Sequence, residues 1–177
     1  TLGIWITSIT VVGHPTRQDS TISFKSGLNI VYGPSNSGKS WVLQCIDYLF
    51  GLRANDFVLD ENSGYTEVRM GVRTPLGALT LSRPIGKGAN NIEVSSTDPR
   101  VESGTYKRQS SGRAPLLSSL WLKLIGYDNP ENLAIIRNQN LETQVLTWRT
   151  FWHALYADED WISTKTPILL PTQATAQ

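Results

Sequence analysis

Apolar residues recur with two different periods along this chain, and each period predicts its own kind of element. Runs rich in β-branched and aromatic residues predict strands. These runs cover residues 3–12, 21–24, 28–32, 65–74, 76–83, 90–95 and 133–136. Apolar residues spaced three and four apart predict helices over 41–50 and 115–127, while 147–156 is either a helix or the loop that leads into one.

The breaks between these runs divide the chain into one domain and a tail. Pro75 and Gly77 lie between two alternating runs and predict a β-hairpin over 65–83. Residues 96–113 are polar, lack periodicity and predict an exposed loop. Residues 1–165 are therefore expected to form the folded part. The composition of 166–177, rich in Pro, Thr, Gln and Ala, predicts a frayed tail or the start of a linker.

Composition and charge narrow the class of protein. Apolar residues make up 40% of the 177 residues and charged residues 18%, which is typical of a globular domain. The net charge of +1 provides no overall basic field. From Arg69 to Lys123, however, nine Lys/Arg stand against three Asp/Glu. This stretch is either a solvated basic face or a surface that contacts phosphates, and both readings stay open.

Several kinds of site are excluded by residue counts. Cys45 is the single cysteine, so it forms no internal disulfide and no cysteine cluster, and its helical position predicts a small core residue. His14 and His153 are too few for a histidine-based zinc site. Without a signal peptide or an apolar run of membrane length, the sequence predicts a cytosolic (cytoplasmic) protein with no membrane partner.

One segment carries recognisable chemistry. Residues 33–40 read G-P-S-N-S-G-K-S and match the phosphate-binding P-loop, between an apolar run and a helical pattern. Backbone amides of such a loop converge on phosphate oxygens, Lys39 faces the β- and γ-phosphates, and the Ser40 hydroxyl holds Mg²⁺. The predicted ligands are ATP, with GTP as the alternative, and Mg²⁺. The predicted nucleotide-binding residues are Gly33, Pro34, Ser35, Asn36, Ser37, Gly38, Lys39, Ser40 and Trp41.

The neighbourhood of the P-loop resembles a known family. The run G-L-N-I-V-Y-G-P-S-N-S-G-K-S-W-V-L-Q-C-I-D-Y-L-F-G over 27–51, with L-T-L-S-R over 79–83, is similar to the amino-terminal half of an ABC-type ATPase head of the SMC/RecN class. Family members often carry Asn-Gly where this chain has Ser35-Asn36. Asn tolerates positive φ well, so the loop is still expected to form.

The resemblance implies a fold and a set of partners. The fold would be α/β: the N-terminal lobe of a P-loop NTPase, part of a mostly parallel sheet beside an antiparallel β subdomain. The lobe would combine with a C-terminal lobe, which carries the signature motif and the Walker B carboxylates, and two heads would pair around two nucleotides. ATP hydrolysis would then act on DNA in repair, chromosome maintenance or phage and plasmid defence. An arginine near the first strands often contacts the nucleotide in this class, and Arg17 is either that residue or a loop charge.

The sequence leaves open which residues would carry out hydrolysis, and Asp158 and Glu159 are the candidates. They follow Ala154–Ala157 as Walker B carboxylates would, with Asp158 holding Mg²⁺ and Glu159 joining Lys39 in catalysis. Residues 146–151 instead resemble the Q-loop neighbourhood of SMC-like ATPases, and an acidic surface cluster is the third reading. With a Walker B the chain would be a self-contained small NTPase or kinase. An interaction module with a vestigial P-loop is a further class, against which the presence of both Lys39 and Ser40 counts.

Overall fold

The protein is described by a computed structural model over residues 3–15, 17–109, 114–129, 134–136, 141, 143–145 and 147–155. Eight strands are present in these ranges: β1 (Trp5–Gly13), β2 (Ser20–Ser23), β3 (Tyr65–Thr74), β4 (Gly77–Pro84), β5 (Asn91–Ser96), β6 (Gly104–Lys107), β7 (Ala134–Ile136) and β8 (Thr143–Val145). Three α-helices accompany them: α1 (Lys39–Leu49), α2 (Leu117–Leu124) and α3 (Trp148–Leu155).

Six strands form one antiparallel sheet in the order β2-β1-β3-β4-β5-β6, and β7 pairs with β8. The predicted hairpin is confirmed, with Thr74 opposite Gly77 at its turn and Glu67 opposite Pro84 at its open end. The predicted strands over 3–12, 21–24, 90–95 and 133–136 correspond to β1, β2, β5 and β7. Strand β8 was not predicted.

Side-chain alternation gives the sheet one apolar and one polar face. Val68, Met70 and Val72 of β3 are buried, and Leu79 and Leu81 of β4 lie in the same core. Arg69 and Arg73, which alternate with these residues along β3, are exposed. Because side chains of a strand point to opposite faces in turn, this period of two sets which face receives the helices.

Helix α1 packs against that face, contacting β1, β3 and β4. It ends as its sequence predicts, with Gly51 at φ +104° just past the last turn. The Leu52 amide donates to Asp47 O (3.1 Å) and the Gly51 amide to Tyr48 O (3.1 Å). This pair of bonds is a Schellman motif, which needs a residue that tolerates positive φ.

Three expectations about this fold are wrong. Residues 28–32 form no strand, and Leu28, Ile30 and Tyr32 are 89%, 75% and 90% exposed. The mostly parallel sheet is correspondingly missing from the described residues, where the one parallel contact is an isolated bridge from Lys107 to Leu116. A strand buried on both faces needs neighbours on each edge, and the described residues supply none at this place.

The third correction concerns the polar segment 96–113. It contains β6, which pairs antiparallel with β5, and Val101 and Tyr106 are buried in the core. Asp98, also buried, accepts from Thr74 Oγ1 (2.5 Å) and from Arg100 Nη2 (2.6 Å). These bonds let a polar stretch join the core, because its buried carboxylate, Asp98, has partners. Residues 110–113 lie outside the described part.

Candidate phosphate-binding site

The glycine loop adopts a curled conformation just before α1. Asn36 and Gly38 both have positive φ, +61° and +82°, and Gly38 caps the helix that starts at Lys39. Sequence analysis expected Asn36 to accept such a conformation, and it does. A Cβ added at Gly33 would lie 3.0 Å from Ser37 Oγ, so a larger residue there would press on the Ser37 side chain.

The loop wraps around the ammonium group of Lys39. Its Nζ donates to Gly33 O (3.0 Å), to Pro34 O (2.5 Å) and to Ser37 Oγ (3.3 Å). These bonds hold the charge at the centre of the loop, next to the positive end of the helix dipole. Backbone amides, a lysine and a helix N-terminus therefore meet at one point, which is the arrangement that binds phosphate oxygens. Ser40 follows on the first turn, exposed, with its hydroxyl available to a cation.

A cavity of about 610 Å³ opens from the loop toward the sheet. Its lining residues come from the loop, from α1, from β1, β2 and the start of β3, and from the connection after α1: Ile9, Val11, Ser20, Thr21, Ile22, Asn36, Ser37, Gly38, Lys39, Ser40, Trp41, Val42, Cys45, Leu59 and Tyr65. One end of the cavity is thus polar and cationic and the other is apolar. This polarity suits a ligand with a phosphate chain at one end and a flat, weakly polar group at the other.

Cys45 and Trp41 lie on the α1 side of this cavity. Cys45 is buried, as predicted, and its burial raises the pKa of the thiol to about 12. The thiol is therefore neutral and unreactive at physiological pH. Trp41 is 43% exposed, and its contact with the ligand stays a prediction.

Arg17 lies next to the cavity but has partners in the protein. Its Nη1 donates to Ser63 O (2.5 Å), and its guanidinium carbon lies 4.1 Å from the centre of the Tyr65 ring. Tyr65 lines the cavity and forms a hydrogen bond with Ser20 Oγ (3.2 Å), which lowers the pKa of the phenol. Nucleotide contact by Arg17 stays a prediction. The Arg17–Tyr65 stack bounds one side of the cavity in either case.

The predicted carboxylates Asp158 and Glu159 lie outside the described residues. The strand expected to precede them begins at Ala154, but α3 runs through Leu155, so the first two residues of that strand are helical. Leu155 borders a different cavity, together with Ile4, Trp121 and Trp152. Among the residues that the structure describes, there is no group of three or more His, Cys, Asp or Glu side chains able to hold a metal ion.

Sequence reasoning missed the far side of the cavity. Thr21, Ile22, Leu59 and Tyr65 carry no motif, and they reach the loop only because β1 and β2 pair and the chain after α1 folds back over them. The alternation in β2 was the available signal, but it does not say which element faces the strand.

This site defines the class of protein: a glycine loop with a central lysine, at the start of a helix packed on a sheet, is the phosphate-binding loop of a P-loop nucleoside triphosphatase. Comparison with protein families matches residues 10–151, well over half of the chain, to the family described as an AAA domain. The chain therefore belongs to this AAA domain family. No curated protein matches it significantly. The described helices include none that is long and apolar enough to cross a membrane.

Proposed function

We propose that this chain is the ATP-binding N-terminal lobe of an SMC-like ATPase head, which binds ATP with Mg²⁺ and joins a C-terminal lobe to hydrolyse it. The observation that carries the proposal is the pairing of an intact P-loop with the exposed apolar segment 28–32 directly before it. Exposed apolar runs of this kind are typical of surfaces that another protein part covers.

The geometry supports ATP as the ligand in three ways. Lys39 stands where the β- and γ-phosphates would lie, and the Ser40 hydroxyl would hold Mg²⁺ beside them. The rest of the cavity is lined mostly by apolar residues, with Ser20, Thr21 and Tyr65 among them, a surface that fits a purine base. Bound Mg²⁺ would neutralise phosphate charge, while the protein would contribute the amides of the loop and the Lys39 charge.

The proposed partners follow from the missing catalytic groups. In the described residues the loop has a phosphate-binding lysine but no nearby carboxylate to orient a water molecule. A C-terminal lobe would bring that carboxylate, and a second head would complete the site across a pair of nucleotides. DNA is the proposed ligand on which ATP hydrolysis would act. The proposed DNA-binding surface is the exposed sheet face with Arg69 and Arg73. Arg83, the third arginine of the hairpin, is buried and takes no part.

Substitution of Lys39 tests the nucleotide site. Lys39→Ala removes the charge that faces the phosphates, so we expect the affinity for ATP–Mg²⁺ to fall by about a hundredfold or more, measured by titration calorimetry. Lys123→Ala is the matched control, because this lysine is exposed on α2 away from the loop. The ATP–Mg²⁺ affinity of this variant should equal that of the parent chain. Equal ATP affinity in the Lys39→Ala variant and the parent would refute the site.

A further inference from the structure

A second cavity of about 600 Å³ lies at the other end of α1 from the P-loop. Its walls are the end of α1 (Phe50, Gly51), the chain after β6 (Arg108, Gln109), the start of α2 (116–118) and the start of α3 (147–149). Helix α1 has 11 residues. At a rise of 1.5 Å per residue the helix separates the two cavities by roughly 16 Å. The second cavity is therefore a distinct place on the molecule.

Two arginines meet in this cavity over Gly51. A Cβ added at Gly51 would lie 3.8 Å from Arg149 Cδ and 4.0 Å from Arg108 Cγ, so both side chains pass across this glycine. Arg149 pairs with Asp47 on α1. Arg108 is partly buried, and within the described ranges its guanidinium has no ion pair and no side-chain hydrogen bond.

The charge around Arg108 is unbalanced. Burial, followed by the nearby cations Arg53 and Arg149, lowers the pKa of Arg108, while Asp56 acts in the opposite direction. Asp56 is itself paired with Arg53 (2.7 Å). The two carboxylates of this region, Asp47 and Asp56, are thus both matched by other arginines, and among the described groups the charge of Arg108 stays in excess.

Two helix N-termini open on the same cavity. Helix α2 starts there with Leu116 at its cap, a side chain that accepts no hydrogen bond, and neither α2 nor α3 has an acidic residue in its first turn. The first amides of a helix lack partners inside the helix and carry its positive dipole end. The two starts are held together, because the Trp148 amide donates to Ser118 Oγ (2.7 Å).

The negative end of α1, which also borders the cavity, is already neutralised. The guanidinium of Arg83 donates through Nη1 to Tyr48 O in the last turn of that helix and to Leu52 O (2.9 Å) just past its end. These carbonyls therefore do not repel an anion in the cavity. The cavity is therefore positive among the described groups, through the excess charge of Arg108 and two helix N-termini, beside the Arg149–Asp47 ion pair.

We propose that this cavity, the Arg108 site, binds a phosphate group, supplied either as free phosphate or as the terminal phosphate of a nucleic-acid strand. Guanidinium groups bind phosphate oxygens in pairs of parallel hydrogen bonds, and helix N-termini add backbone donors. The site does not depend on the proposed nucleotide site, since it shares no residue with the P-loop cavity.

Calorimetric titration of the 177-residue chain with inorganic phosphate tests the site. All proteins in the test carry Lys39→Ala, which weakens phosphate binding at the P-loop. Adding Arg108→Ala should reduce the remaining phosphate affinity about tenfold or more, the effect of losing one charged hydrogen-bond partner. The matched control is Lys123→Ala, an exposed cation of α2 that does not line this cavity, which should leave that affinity unchanged.

A second titration separates the two sources of the phosphate, using a short single-stranded oligonucleotide with and without a 5′-phosphate. Arg108-dependent binding of inorganic phosphate supports the site with a free anion as ligand. Arg108-dependent preference for the phosphorylated strand alone supports it with a strand end as ligand. If the Arg108 variant and its Lys123 control bind inorganic phosphate equally well, and also bind the phosphorylated strand equally well, the proposal is overturned. Arg108→Gln, which keeps more of the packing over Gly51, replaces Arg108→Ala if the latter unfolds.

Discussion

Arg83 shows how a single side chain joins the helix of the P-loop to the sheet. It is fully buried in β4 and donates from Nε to Ala89 O (2.7 Å) as well as to the carbonyls at the end of α1. Its guanidinium carbon lies 3.8 Å from the centre of the Tyr48 ring, and burial lowers its pKa to about 10, so it stays charged at neutral pH. A buried charge of this kind is tolerated because Nε and Nη1 donate to carbonyl oxygens and the guanidinium stacks on the Tyr48 ring.

We expect Arg83→Met to lower the free energy of unfolding by about 3 kcal/mol or more, because three buried carbonyls lose their donor. Urea unfolding followed by circular dichroism measures the change. Arg73→Met, on the exposed face of the neighbouring strand β3, is the control and should change stability by less than about 0.5 kcal/mol. If the two variants unfolded at the same urea concentration, Arg83 would have no structural role.

Among the elements, segment 28–32 shows the largest difference between the element that its apolar sequence predicts and the conformation in the structure. It is apolar and directly precedes the P-loop, yet its largest side chains face solvent. The described sheet is antiparallel and ends at β2, so this segment has no strand beside it. We interpret the segment as a strand that becomes ordered when a C-terminal lobe supplies its neighbours, in line with the proposed function.

Replacing an isoleucine of this segment by serine should cost much less stability than the same change at a buried isoleucine. Ile30→Ser should change the free energy of unfolding of this chain by less than about 0.5 kcal/mol, since Ile30 is 75% exposed. Ile92→Ser, the same change at a fully buried position of β5, should cost about 3 kcal/mol or more. Thermal or urea unfolding of the pair measures both. A large loss of stability in Ile30→Ser would mean that the segment is already packed in this chain.

At the scale of the whole molecule, we expect ATP binding without appreciable ATP hydrolysis. The P-loop residues needed to hold phosphates are in place, while the described part of the cavity has no carboxylate to orient water. The 177-residue chain should therefore bind ATP with almost no turnover, below about one per minute, compared with typical enzyme rates near 10 per second. A steady-state phosphate-release assay measures this, with Lys39→Ala as the background. Robust turnover that depends on Lys39 would instead indicate a self-contained NTPase, and Glu159→Gln would then be the variant to block it.

The sequence alone determined the phosphate-binding loop and most elements around it. Gly33, Asn36, Gly38 and Lys39 could be assigned because the loop geometry depends on local φ angles and on one charge, both set by residues close together in the chain. The hairpin and helices α1 and α2 followed from apolar periodicity, which is also local, whereas the pattern over 147–156 left α3 open between a helix and a loop. The AAA domain match over 10–151 rests on the same kind of information.

Only the tertiary structure decided what surrounds the loop. Tyr65 and Arg17 lie beside it because strand pairing and the fold-back after α1 bring them there, and no local pattern records that pairing. The same holds for Arg83, which appears in the sequence as one more surface cation of a strand, and for Arg108 and Arg149, which are 41 positions apart yet meet over Gly51. Burial of a strand or of a charge depends on which neighbours the fold supplies. That is why segment 28–32 reads as buried in the sequence and lies exposed in the structure.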